Sequence, residues 1–155
     1  MTDRVQRAAI RHGLILMVED DEDDARLIAR AFRRIDPGIP IQRVEDGEQA
    51  VAYLAGSAPF GPDRVFPVLV LLDLKLPRKS GFEVLQWLKN QPSIRRIPVV
   101  ILTSSKERID LARAYDLGAN SYLVKPVRPH AVSNLMANID SYWLSSNEPP
   151  PLGAR

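Results

Sequence analysis

Val68-Leu69-Val70-Leu71-Leu72-Asp73-Leu74-Lys75-Leu76-Pro77 is the stretch that decides the fold. Its five opening apolar residues have neither the two-residue alternation of a strand with one wet face nor the length of a helix, so they read as a short strand buried on both faces. Such strands belong to parallel sheets with helices on each side. The run closes on an acid and the chain breaks at Pro77. The Asp73 carboxylate therefore sits at a rigid, partly desolvated sheet edge, where it can meet a metal or a phosphoryl group.

Working outward, residues 14–18, 41–44, 99–102 and 122–124 read as four more short buried strands. Between them lie residues at helical spacing: Ala25, Ile28, Phe32 and Ile35, then Val84, Leu85 and Leu88, and later Val132, Leu135, Met136, Ile139 and Trp143. Alternating strand and helix implies parallel pairing, right-handed crossovers and a doubly wound α/β domain. Residues 55–66, with two glycines and two prolines, read as a long loop before the central strand.

The 155 residues suit one domain that buries roughly two-thirds of the surface of the unfolded chain. We divide them into an extension at 1–12, a domain at 13–144 and a Pro-rich tail at 145–155 with no output domain. There is no cysteine, so disulfides and thiolate metal sites are excluded. Net charge is +2 from 21 basic and 19 acidic residues, which gives no electrostatic case for nucleic acid, even with Arg4, Arg7 and Arg11 near the start. No apolar run approaches the ~20 residues of a membrane helix. A soluble, cytoplasmic protein with no membrane contact is expected.

In a parallel sheet the carboxyl ends of the strands share one edge, where ligands gather. Glu19-Asp20, Asp73, Thr103 with Ser104 and Ser105, and Lys125-Pro126 all fall there. Three carboxylates at one place need a cation, and hard oxygen ligands favour Mg²⁺. Glu19 and Asp20 can share that pocket only if the chain leaves the strand between them, since successive strand residues face opposite ways. With the cation balancing charge, Asp73 can act as a nucleophile toward phosphorus, Thr103 can hydrogen-bond the phosphoryl oxygens and Lys125 can neutralise them. Asp23 and Asp24 read as helix-start acids, and Ser104 or Ser105 as a helix cap or a phosphate ligand.

The motifs Ile15-Leu16-Met17-Val18-Glu19-Asp20-Asp21, Leu71-Leu72-Asp73-Leu74-Lys75-Leu76-Pro77 with Gly81, Ile101-Leu102-Thr103-Ser104, and Gly118 through Pro126 resemble those of response-regulator receiver domains over about residues 13–144. The resemblance implies a single flavodoxin-like (βα)5 domain with a five-stranded parallel sheet in the order 2-1-3-4-5. It implies that Asp73 accepts phosphate from a sensor histidine kinase, with Thr103 and Lys125 assisting. Glu19, Asp20, Asp73 and the Lys75 backbone carbonyl would bind Mg²⁺. Thr103 and Tyr122 would form the switch pair, although Tyr122 also reads simply as a half-buried strand residue. A cis peptide at Lys125–Pro126 is implied as well, and Lys75 and Ser105 occupy places that tune access of attacking water.

The long loop, Pro77-Arg78-Lys79-Ser80-Gly81, Arg95-Arg96-Ile97-Pro98-Val99 and the late aromatic segment resemble the stand-alone regulators of phytochrome-type kinases, which implies a homodimer built by the C-terminal region. Tyr142, Trp143 and Leu144 are the dimer candidates, because three consecutive large residues at a helix end cannot all face one core. An aspartyl-phosphate phosphatase of the haloacid-dehalogenase type would carry a second Asp where Lys75 stands. A flavin-binding protein would carry a Gly/Ser/Thr-rich phosphate loop after the first strand. A flavodoxin-like interaction module that is never phosphorylated is the remaining alternative.

Overall fold

The computed structural model describes residues 13–152. Five strands, β1 (Leu14–Val18), β2 (Ile41–Val44), β3 (Pro67–Leu72), β4 (Val99–Thr103) and β5 (Ser121–Val124), alternate with five helices. These are α1 (Glu22–Ile35), α2 (Gly47–Ala55), α3 (Gly81–Lys89), α4 (Arg108–Asp116) and α5 (Pro129–Ile139), the last running on into a π-helical stretch, Asp140–Ser146. All strand pairs are parallel and the order is β2-β1-β3-β4-β5, as the resemblance implies.

Strand geometry sorts the apolar residues into two cores. Leu14, Leu16, Val18, Val70, Leu72, Val99 and Ile101 lie on one face with residues of α2, α3 and α4; Ile15, Met17, Leu69, Leu71, Val100 and Leu102 lie on the other with residues of α1 and α5. Continuous apolar runs are therefore required here, because both faces of the central strands are dry. The starts of α1, α2 and α3 are fixed by short polar side chains that accept orphan N–H groups. Asp21 caps α1 at Asp24 N (2.9 Å), Asp46 caps α2 at Gln49 N (2.8 Å), and Ser80 with Glu83 forms a capping box on α3. Three acids open α1 and Arg33 and Arg34 close it, which matches its dipole.

The 55–66 connection is tied down rather than loose. Tyr53 donates its hydroxyl to Val65 O (2.6 Å) and meets Phe60 edge-on, while Arg64 donates to Tyr53 O and Leu54 O and stacks over Phe66. The cis peptide among the described residues is Ala58–Pro59. The bond at Lys125–Pro126 is not cis, which corrects the expectation drawn from the resemblance.

The C-terminal segment separates the three dimer candidates. The wider π-helical turn rotates Trp143 and Leu144 onto the core under α1 and α5, whereas Tyr142 stays exposed and stacks edge-on against Trp143. Leu152 packs back on the domain, and Pro149, Pro150 and Leu152 line a small pocket with Phe66, Pro67, Val68, Ile97 and Pro98. Residues 1–12 and 153–155, including Arg4, Arg7 and Arg11, lie outside the described residues.

Candidate functional site

The ladder brings the strand ends together. Val18 pairs with Leu72, Leu72 with Ile101, and Thr103 with Val124, so the residues just beyond them share the edge. Glu19 and Asp73 are buried and Asp20 is exposed, and each offers a carboxylate oxygen within 4.8 Å of the others. β1 ends at Val18, so the chain is free to turn. Asp21 N then donates back to Glu19 Oε2 (3.2 Å), which lets adjacent acids face one pocket.

The Lys125 ammonium sits among carboxylates, 2.5 Å from Glu19 Oε1, 2.8 Å from Asp73 Oδ2 and 3.0 Å from Asp24 Oδ2. Burial works against its charge, but the hydrogen bonds to Asp73 and Glu19 outweigh that and hold its pKa above the ordinary lysine value. Burial pushes the Glu19 carboxyl up to about 7, against the pull of Lys125 and with a further push from the Asp73 charge. The second oxygen of Asp73, Oδ1, accepts from Lys75 N (3.3 Å). The Lys75 side chain itself is exposed.

Thr103 ends β4 with its hydroxyl buried, accepting from Ser105 N (3.5 Å). Tyr122 is half-buried and donates its hydroxyl to Ser105 O (3.0 Å); burial raises its pKa. Ser105 thus joins the two residues of the expected switch pair. Neither serine caps α4, whose N-cap is Glu107 with no side-chain cap bond; Ser105 Oγ instead accepts from Glu107 N (3.3 Å) and donates to Asp110 Oδ2 (2.6 Å), whereas Ser104 is exposed. Ser105, rather than Ser104, orders the start of α4.

Two groups at this edge are not apparent from the motifs. Asp24 reads as a helix-start acid yet bonds Lys125, and Arg43 donates to Glu19 O (3.1 Å) and Asp20 O (3.3 Å), fixing the backbone of the acidic pair. A basic residue near the end of the second strand, next to the first in the sheet, is the only signal for Arg43.

A buried carboxylate, a hard-oxygen cluster, a hydroxyl and an ammonium on a 2-1-3-4-5 sheet define a receiver-type domain. The response regulator receiver domain model matches residues 15–137, and the chain belongs to that family, part of two-component systems. It is 42% identical to the probable methanogenesis regulatory protein FilR2 of Methanothrix harundinacea, over 88% of this chain and 87% of that protein. It is 38% identical to the response regulator Rcp1 of Synechocystis sp., over 86% and 90%. Among solved structures, the phosphorylated cyanobacterial phytochrome response regulator RcpA superposes with a TM-score of 0.84 at 37% identity, over 90% of this chain and 99% of that one. The Mn²⁺-bound form of Rcp1 gives 0.83 at 34%, over the same shares. No helix among the described residues is long and apolar enough to cross a membrane.

Proposed function

We propose that this protein is a response regulator that takes a phosphoryl group onto Asp73 from the phosphohistidine of a sensor kinase. The observation that carries this reading is the meeting of Glu19, Asp20 and Asp73 with Lys125 at one sheet edge. Three carboxylates of hard oxygens, one exposed to admit an ion, suit Mg²⁺ and leave room for its waters. Glu19, Asp20, Asp73 and the Lys75 carbonyl would hold the ion, which when bound offsets the charge that otherwise keeps a carboxylate from an anionic phosphoryl group.

An Asp73 carboxylate oxygen forms the bond to phosphorus as the phosphorus–nitrogen bond of the phosphohistidine breaks, and the departing imidazole takes a proton from water. Lys125 follows the charge onto the phosphoryl oxygens, and the Thr103 hydroxyl turns to them. Thr103 then releases Ser105 N, and the Tyr122 bond to Ser105 O transmits the change to the surface by biasing two arrangements of that loop. The phosphoryl group is accepted and later lost to water without turnover of an external substrate.

A phytochrome-type kinase in the cytoplasm is the partner we favour, supported by the likeness to the cyanobacterial phytochrome response regulator RcpA. We also read the C-terminal region as a homodimer surface, with exposed Tyr142 as its contact and Trp143 and Leu144 as the base beneath it. Incubation with acetyl phosphate and Mg²⁺ tests the function. The protein should gain one phosphoryl mass, and chelator should abolish the gain. No gain in the presence of Mg²⁺ would return the chain to the unphosphorylated interaction module.

A further inference from the structure

The loop that follows Asp73 is held at both ends. At its far end Gly81 leads α3 so close beneath the acceptor that a Cβ there would lie 2.1 Å from Asp73 O, and Gly81 N donates to Leu74 O (2.9 Å). In its middle, Arg78 has φ +67°, the one positive φ at a non-glycine residue among the described residues. Such a backbone persists only where the surroundings impose it.

The side chain of this residue is anchored by Asp46. The Arg78 side chain reaches across to Asp46 Oδ2 with Nε at 2.8 Å. The Asp46 side chain is only 2% exposed while that of Arg78 is 61% exposed, so a buried charge depends on a surface one. Beside this pair a Cβ on Gly47 would lie 1.9 Å from Lys79 O, so the start of α2 and the acceptor loop touch backbone to backbone. Asp46 cannot yield, because its other oxygen caps α2 through Gln49 N.

We propose that Arg78 is a positioning residue for the Asp73 site: by pairing with buried Asp46 it clamps the acceptor loop to the turn between β2 and α2, and so fixes where the Lys75 carbonyl faces the cation. The inference rests on the metal reading given under Proposed function. The reach is short, since Lys75 lies between Asp73 and Arg78 on one tightly turned loop whose Lys79 N donates to Pro77 O (2.7 Å). Without the clamp, the loop samples other arrangements, and part of each binding event is spent on ordering it.

Calorimetric titration of the full chain with Mg²⁺ tests this. Arg78→Ala and Asp46→Asn should each weaken Mg²⁺ binding about tenfold, the low end of what groups that orient metal ligands indirectly contribute. The double variant should bind no more weakly than either single one, because both remove the same clamp. Arg78→Lys should recover part of the affinity. Arg78→Gly, which relaxes the backbone but lacks the pair, should bind as weakly as Arg78→Ala, and it serves if the alanine variant does not fold. Variants that melt earlier yet bind Mg²⁺ as tightly as wild type would overturn the positioning role and leave the metal reading intact. A wild type that binds no Mg²⁺, like an Asp20→Asn control, would overturn both.

Discussion

Lys125→Met removes one ammonium from among three carboxylates while keeping most of the stem. Stripping one partner from a buried pair costs about 3–5 kcal/mol. The Asp24 side chain is 41% exposed and can turn to water, which discounts its share. Glu19, already raised to about 7, moves further up without Lys125 and takes a proton. We therefore expect a loss of about 2–3 kcal/mol at pH 8, near the low end for a stripped buried pair, or a Tm about 5–10 °C lower. A carboxyl raised in the fold contributes fully below its unfolded value of 4.5 and loses that contribution as pH rises through its folded value. In the variant that loss extends to higher pH, so its deficit should widen from pH 6 to pH 8. Mg²⁺ at pH 8 should recover part of it, since the ion offsets the same carboxylates. Urea melts of both proteins at each pH, with and without Mg²⁺, measure this. Equal stability at pH 8, or a deficit that shrinks as pH rises, would refute the reasoning.

Gly81→Ala places a methyl 2.1 Å from Asp73 O, against backbone that has no free space to enter; urea melts should show a loss of about 1–3 kcal/mol, and the acceptor should phosphorylate more slowly. Burial pushes the Tyr53 hydroxyl up to about 12, so its stabilisation is complete below pH 10 and fades as pH rises through that value. Ultraviolet titration should show a late-ionising step that is lost in Tyr53→Phe, which also costs about 1 kcal/mol for the bond to Val65 O. Lys75→Asn replaces the exposed cation two residues beyond the acceptor. The phosphoryl lifetime, followed after removal of donor, should change, and equal decay rates would remove any screening role for Lys75.

The central strands β1, β3 and β4 were open to reading because burial on both faces leaves continuous apolar runs; across the five strands the structure only adds Pro67, Thr103 and Ser121 at their ends. α4 has no such signature. Ala114 is its only buried residue and Ile109 is 75% exposed, so its apolar residues do not form a core stripe. At the site, Glu19, Asp20, Asp73, Thr103 and Lys125 could be placed together because a parallel sheet sends all strand ends to one edge. Partnerships across the fold could not be read that way. Asp46 and Arg78 are 32 residues apart, and each looks alone like an ordinary cap and a solvated arginine. Tyr142, Trp143 and Leu144 were divided by a π-helical turn that residue spacing does not announce.

The central claim is that Asp73 carries the phosphoryl group, and its direct measurement is reductive trapping. Borohydride converts an aspartyl phosphate to homoserine, so peptide mass mapping after treatment with acetyl phosphate and Mg²⁺ locates the acceptor. Conversion is expected at Asp73 alone, with none in Asp73→Asn. Conversion at Asp20 or another carboxylate, or at no residue of wild type, would contradict it.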